Sequence, residues 1–557
     1  MTDIPDRPVL RDYQKQAVDA VLACKAEGKR RVMMVMATGT GKTVAFADLI
    51  RRWPGEGTSL VLAHRGELLD QAADKIREAM PDATISVEKA EQSAYWGSDV
   101  IVASIQTLAQ NGARRAKRLV EKMDIGLVVY DEVHHAAAPG NKSVLKALGC
   151  WDEGGPFLLG CTATPNRGDK KTLGRIFEGE AYNLGIRDAI AGGWLCPISA
   201  YRVETGTDLA DVGTTAGDFI TSQLSAAVNH RERSLMAVEY WKKLCPGRPT
   251  LAFCVDVKHA IDTAELFLEQ GVRAAAVSGK TDPEERAILL QEFRDGHIDV
   301  LCNCALLTEG VDLPKVSCVI MLRPTKSSSL YSQCMGRGTR IFPGKENLLV
   351  IDLVDNCRRN KLVTAPVIFG LPDTMDVAGK RLDQVRDKVD ASGVPPSRLE
   401  GMRSVEQLNH KCEEWDLFSD HELPDDIRRL TNRIWAPWRE GYRLVIAGAG
   451  EARIQQDDLG RYTAEIYQGD KQLGSRSVDG IEEAFRLSDR AVERQWGSSA
   501  DWTRTKAKWI KEPASQKQIG FLRRSGVPED MLKDLSKGKG SSMIERLMQK
   551  KEKTSGV

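Results

Sequence analysis

Short apolar runs recur between residues 31 and 204, RVMMVMAT, SLVLAH, DVIVASIQT, GLVVYDE, FLLGCTAT and ISAYRVE. The stretches between them carry helical spacing, as in ELLDQAADKIREAM. Apolar runs too continuous for one buried face, alternating with helices, are what a parallel sheet covered on both sides requires. A second set, TLAFCVD, RAAAVSG, VLCNCA, CVIMLRP and NLLVIDLVD, follows between about 250 and 355, again with helical segments such as HAIDTAELFLEQ. Two tandem α/β domains are therefore expected, over 1–204 and 231–370. The Gly/Thr/Asp-rich 205–230 reads as the linker between them. Beyond 370 the runs give way to Pro, Asp and Arg, so 371–430 reads as a linker with helical character. Alternating positions from WREGYRLVIAGAG to GSRSV, then the helical IEEAFRLSDRAVERQW, predict a small α+β module over 431–497. A short helical tail, 498–557, completes the chain.

Composition narrows the setting. The net charge of +1 gives no whole-chain attraction to polyanions, so any nucleic-acid surface must be local. One local excess exists: residues 501–557 hold 14 Lys/Arg against 7 Asp/Glu, with Trp502, Trp509 and Phe521 interspersed. Lys506, Lys508, Lys517, Arg523, Arg524, Lys537 and Lys539 could grip phosphate there while an aromatic stacks on a base. The twelve cysteines include no CxxC pair, which points to a reducing compartment rather than a zinc site or disulfide framework. No apolar run is long enough to cross a membrane, and a soluble, unexported chain is expected.

Directly after the first apolar run comes ATGTGKTVAFADLI. Gly39 and Gly41 permit a tight turn whose N–H groups, with those of Thr38 and Thr40, can face phosphate oxygens; Lys42 adds a point charge and Thr43 a hydroxyl for Mg²⁺. This is a P-loop, although Met36 stands where the common pattern begins with glycine. In GLVVYDEVHH, Asp131 and Glu132 follow a buried strand and need counter-charge. A Mg²⁺ ion held by Thr43 and Asp131 would supply it, leaving Glu132 to polarise a water.

The ordered series resembles superfamily 2 helicases and translocases of the DEAD/DEAH type. ATGTGKT corresponds to motif I, LAHRGELLDQ to Ia, ASIQTL to a further nucleic-acid motif, DEVH to II, CTATP to III, AFCVDVKHA to the region of IV, LLTEGVDLP to V and QCMGRGTR to VI. The resemblance covers about residues 8–357 and implies two RecA-like domains. It further implies that Gln14 reads adenine, that Arg337 and Arg340 reach the γ-phosphate, and that Asp312 approaches the ribose. Arg65, Gly66, Gln106, Thr107, Thr308, Glu309 and Gly310 would hold a sugar-phosphate backbone. Thr162 and Thr164 would couple the two sites, and His134 would bridge toward motif VI through Gln333.

TATP, DEVH and QCMGRGTR are closest in flavour to XPB-like, phage fork-remodelling and type I restriction motors, so DNA is expected ahead of RNA. The P-loop begins near residue 37, so a bare motor with a private C-terminal extension is expected, resembling a small helical module of phage and bacterial DNA-associated proteins. The expectation is an ATP- and Mg²⁺-dependent DNA helicase or translocase, monomeric, without membrane contact. It would meet protein partners through the C-terminal modules and work near the nucleoid in bacterial or phage-infected cytoplasm. An RNA-remodelling ATPase and a nucleic-acid-binding ATP switch are the rival readings.

Overall fold

The computed structural model describes residues 9–557 apart from 65, 91, 134–135, 137, 164–172, 216, 305, 308–310, 312, 357–361, 393–398, 415–426, 428, 434, 439–440, 447–448, 458, 470, 498–499, 501–502, 504–512, 525–531, 533–534, 538–539, 541–543 and 545–557. It divides into two units, 1–384 and 385–557.

The first unit contains two parallel sheets, as the apolar runs predict. Strands β1 (Arg31–Met36), β2 (Thr58–Ala63), β3 (Ile85–Glu88), β4 (Val100–Ser104), β5 (Ile125–Asp131), β6 (Phe157–Thr162) and β7 (Gly179–Leu184) lie in the order β3-β4-β2-β5-β6-β1-β7. Every residue of β2, β4 and β6 is buried, which is why these strands read as continuous apolar runs rather than alternating ones. Register places Asp131 of β5 opposite Cys161 of β6, and Thr162 opposite Val35 of β1. The segments leaving β1 and β5 therefore emerge at the same carboxyl edge, where α/β sheets bind ligands.

The second sheet is built from β8 (Ile198–Asp208), β11 (Thr250–Phe253), β12 (Ala274–Val277), β13 (Val300–Asn303), β14 (Cys318–Met321) and β15 (Leu348–Asn356), in the order β12-β13-β11-β14-β15-β8. A short hairpin, β9 (Thr214–Thr215) with β10 (Asp218–Phe219), intervenes in sequence. This corrects the expected boundary. ISAYRVE, the last run of the first set, pairs in parallel with β15 and so belongs to the second lobe. Residues 205–230 are likewise not a linker: Leu209, Val212, Phe219, Leu224 and Val228 share a buried cluster with Val255, Val354 and Leu362. The chain passes between the sheets earlier, through the helix Ile186–Ala191 and the GGWLCP segment after it. Local pattern could not show this, because a strand's partner lies some 150 residues away, as in Tyr201 opposite Ile351.

The second unit holds an antiparallel meander, β16 (Ala436–Trp438), β17 (Gly441–Ile446), β18 (Gly450–Gln456), β19 (Tyr462–Gln468) and β20 (Lys471–Val478). Alternation works here as it should for a sheet covered on one face: Leu444, Ile446, Ala452 and Ile454 pack with Phe485 and Val492 of the helix Ile481–Trp496. On the other face Arg443 and Arg453 share the carboxylate of Glu451. A smaller cluster of Leu522, Leu532 and Leu535 lies toward the C-terminus, below the exposed Lys517, Arg523 and Arg524. No helix among the described residues is long and apolar enough to cross a membrane, and the ten cysteines described are free thiols.

Candidate functional site

The turn after β1 is set by two glycines with left-handed backbone, Gly39 (φ +92°) and Gly41 (φ +79°), which L-residues with a Cβ enter at a cost. Gly41 caps the helix Lys42–Arg51, so the unsatisfied N–H groups of that helix open onto the turn. The turn's carbonyls are tied back. Thr40 O accepts from the Tyr13 hydroxyl at 2.8 Å and from Gln14 Nε2 at 3.0 Å, and Ala37 O accepts from the Thr40 hydroxyl at 2.7 Å. Gln14 Oε1 accepts from Arg11 N at 3.0 Å. The amide expected to read adenine thus makes backbone contacts on both its ends, and its resolved work is to brace the P-loop.

The carboxylates expected to face the P-loop do so. Lys42 Nζ lies 2.9 Å from Glu132 Oε1, with both side chains about nine-tenths covered (12% and 11% exposed). Burial pulls the Lys42 pKa down, but the charges of Glu132 and Asp131 and the hydrogen bond to Glu132 outweigh it, and the ammonium sits above the ordinary lysine value. Glu132 takes a left-handed backbone (φ +53°), a conformation that costs a non-glycine residue about 1–2 kcal/mol. Its N–H donates to Asp131 Oδ1 at 3.0 Å, which fixes the two carboxylates relative to one another. Beside them the Cys161 thiol is pushed well up by burial and by the Asp131 charge, and stays protonated. The hydroxyls of Thr38 and Thr162 are buried with no hydrogen-bond partner among the described residues. Buried hydroxyls in that state are unusual in a finished fold and fit a site completed by a ligand.

Motif VI reaches this site from the second lobe. The helix Ser328–Gly336, which carries the buried Gln333, ends against the P-loop: a Cβ added to Gly336 would lie 2.4 Å from Thr38 Cβ. Thr339 Oγ1 approaches Thr38 O at 3.5 Å. Arg337 Nη1 donates to Val311 O at 3.0 Å, within the motif V segment, and burial lowers the pKa of the half-buried Arg340 guanidinium. Both arginines therefore flank a turn that touches motif I.

The residues expected at a polynucleotide are placed less uniformly. Gln106 is exposed, with Nε2 3.2 Å from His64 Nε2 of the motif Ia segment. Thr107 is buried and its hydroxyl accepts from Ala90 N at 3.1 Å, so its side chain supports the fold rather than an open groove. Gly66 begins the helix Gly66–Ala79. Arg65, His134, Thr164, Thr308, Glu309, Gly310 and Asp312 lie outside the described residues.

Sequence reasoning missed three contributors. Tyr13 braces Thr40 and packs on Trp194 with ring centroids 4.9 Å apart. Leu195 fills the space beside Gly39, and Cys196 N donates to Thr339 O at 2.8 Å. The crossing segment 192–197 therefore touches motif I and motif VI together. Its only signal was GGWLCP, a Trp/Pro punctuation that reads as an ordinary turn.

Comparison with known proteins matches the regions in which these motifs lie. The family described as "Type III restriction enzyme, res subunit" matches residues 7–167, and "Helicase conserved C-terminal domain" matches 236–342. "Mitochondrial helicase Irc3, C-terminal domain" matches 414–555. A Schizosaccharomyces pombe protein assigned as mitochondrial ATP-dependent helicase irc3 is 30% identical over 564 residues, covering 97% of this chain and 90% of its own. The chain belongs to the Irc3 family of superfamily 2 helicases. The Saccharomyces cerevisiae relative, assigned as ATP-dependent helicase IRC3, is 34% identical over 65% of this chain, which spans about half (54%) of that protein's length. A more distant relative, the DNA 3'-5' translocase XPB2 of Sulfurisphaera tokodaii, is 24% identical over 62% of this chain and 82% of its own. The expectation of a private extension is thereby corrected, since the C-terminal region is one the Irc3 family shares.

Proposed function

We propose that the chain is a DNA motor in which ATP, bound at the turn after β1, is hydrolysed between the two lobes to drive movement along DNA or its unwinding. The observation that carries this reading is the Lys42–Glu132 pair beneath the glycine turn, with the motif VI turn in contact from the other lobe. The residues fit a nucleotide with Mg²⁺: Thr43 and Asp131 offer the hard oxygen donors that ion takes, and the Thr38 hydroxyl stands buried and unsatisfied. When bound, the ion would neutralise phosphate charge. Lys42 then exchanges Glu132 for phosphate oxygens, and Glu132 is released to orient and deprotonate the attacking water. Arg337 and Arg340 complete the charge clamp when the lobes close.

DNA rather than RNA is proposed from the flavour of motifs II, III and VI and from the DNA translocase named among the relatives. The proposed division is two motor lobes, a connecting region, the antiparallel module and the basic tail, with a monomer as the working unit and the C-terminal modules as the protein-facing surface. The S. pombe relative is named mitochondrial, so a mitochondrial setting joins the bacterial cytoplasm as a proposed one. Steady-state ATPase measured with single-stranded, duplex and forked DNA and with RNA tests the substrate: stimulation by RNA alone would replace this reading with the RNA-remodelling one. Glu132→Gln should retain ATP binding and lose turnover by about a thousandfold. Normal hydrolysis in that variant would remove Glu132 as the base.

A further inference from the structure

We propose that Lys345 is a positioning residue for the motif VI arginines: its ammonium gathers the backbone carbonyls of the turn that presents Arg337 and Arg340 to the P-loop. The inference rests on the ATPase reading above and adds to it a residue that none of the helicase motifs includes. Lys345 Nζ donates to Gly338 O at 2.5 Å and to Arg340 O at 2.8 Å, and lies 3.5 Å from Pro314 O. Its three N–H bonds thus have three carbonyl acceptors. Between the first two, Thr339 O accepts from Cys196 N at 2.8 Å. Three consecutive carbonyls of the turn are therefore held from outside it.

That arrangement has a physical reason. The turn leaves the helix Ser328–Gly336 with its N–H groups at Arg337, Gly338 and Thr339 spent on the last helix carbonyls, Cys334 O, Met335 O and Gly336 O, so its own carbonyls need donors from elsewhere, and it is buried at Gly338 and Thr339. Buried carbonyls left unpaired would swing toward any available donor. The turn itself carries two strong donors, the guanidiniums of Arg337 and Arg340. With the carbonyls satisfied by Lys345 and Cys196, the backbone that carries Arg337 and Arg340 is fixed in place, and Arg337 Nη1 reaches Val311 O rather than a carbonyl of its own turn. Leu348 closes the apolar side, since a Cβ on Gly338 would lie 2.3 Å from its Cδ1.

The groups that face the ammonium are the Cys196 thiol, Arg248 and Arg340. Burial, reinforced by the two arginines and opposed by Cys196, brings the Lys345 pKa down to about 8. Loss of the proton removes the charge and one of the three N–H donors, which weakens the hold on the carbonyls, so turnover should fall as pH rises through about 8. Stability should move the opposite way. Between about 8 and the ordinary lysine value the unfolded chain holds the proton and the folded one does not, so this group's contribution to folding rises with pH. Activity lost while stability is gained is a combination that simple loosening of the fold cannot produce.

The test is DNA-stimulated ATPase of the full chain. Lys345→Met should lower kcat about tenfold while changing KM for ATP by less than about threefold. An unchanged kcat, or equal damage to both constants, overturns the proposal. Should that variant fail to fold, Lys345→Arg decides: its permanent charge should remove the alkaline fall seen in the wild type, and the same fall in both overturns the proposal. Arg337→Ala separates this inference from its foundation. Normal turnover in Arg337→Ala sinks the motor reading itself, whereas a disabled Arg337→Ala beside fully active Lys345 variants sinks the positioning role alone.

Discussion

In the P-loop, Thr40 O is held by a phenol and an amide, uncharged donors that reach in from the helix Asp12–Ala26. In the motif VI turn, Gly338 O and Arg340 O are held by one half-buried ammonium, and Thr339 O by a backbone N–H. The two loops solve one problem from opposite sides. A P-loop binds phosphate with its own N–H groups, so its carbonyls must face away and find partners there. Motif VI binds with side chains, and its backbone needs only to be fixed. A loop that binds through backbone tolerates no change in its glycines, whereas a loop that binds through side chains depends on whatever anchors the turn.

The largest test of this contrast acts where the loops touch. Gly336→Ala places a methyl 2.4 Å from Thr38 Cβ and 2.5 Å from Thr38 Cγ2; the methyl Cγ2 can rotate, but Cβ is fixed to the backbone and cannot swing away. The expected outcome is separation of motif VI from motif I: turnover falls by about a hundredfold while ATP still binds the first lobe with affinity changed by less than about threefold. Comparing nucleotide titration with single-turnover hydrolysis checks this. A large loss of binding would mean that the two loops form one unit and the comparison between them is misdrawn.

A smaller effect is expected at the brace of the P-loop. Tyr13→Phe keeps the ring against Trp194 and deletes one of two donors to Thr40 O. Losing one hydrogen bond while the Gln14 amide remains should cost about 1 kcal/mol, read as about a fivefold rise in KM for ATP with kcat nearly unchanged. If kcat fell instead, the brace would be acting on the chemical step, and the P-loop would resemble the motif VI turn more than it differs from it.

How much of this was legible follows the same division. Both parallel sheets, the P-loop and the Asp131–Glu132 pair could be read because their signals are local: buried runs, a glycine turn, and two carboxylates at a strand end. The assignment of ISAYRVE failed because its strand lies at the sheet edge beside β15, distant in sequence. At Thr107, a hydroxyl in a motif does not reveal that a neighbouring N–H, that of Ala90, already donates to it. Tyr13, Cys196 and Lys345 were invisible for a further reason. They act on backbone carbonyls, which every residue carries, so no residue type at the receiving end marks the contact.

The smallest predicted effect separates the two donors that Cys196 offers to motif VI. Its backbone N–H holds Thr339 O at 2.8 Å, while its thiol reaches Gly338 O only at 3.5 Å. A thiol is a weak donor, and Gly338 O already accepts from Lys345. Burial raises the Cys196 pKa, so the thiol is protonated in the pH range where Lys345 begins to lose its charge. Cys196→Ala keeps the N–H and removes only the thiol, and kcat should stay within about twofold of the wild type. Removing the thiol also takes away a group that favours the charged form of Lys345, so the alkaline fall in activity should move slightly toward lower pH. A loss in Cys196→Ala as large as that in Lys345→Met would shift the anchoring of motif VI from the ammonium to the sulfur.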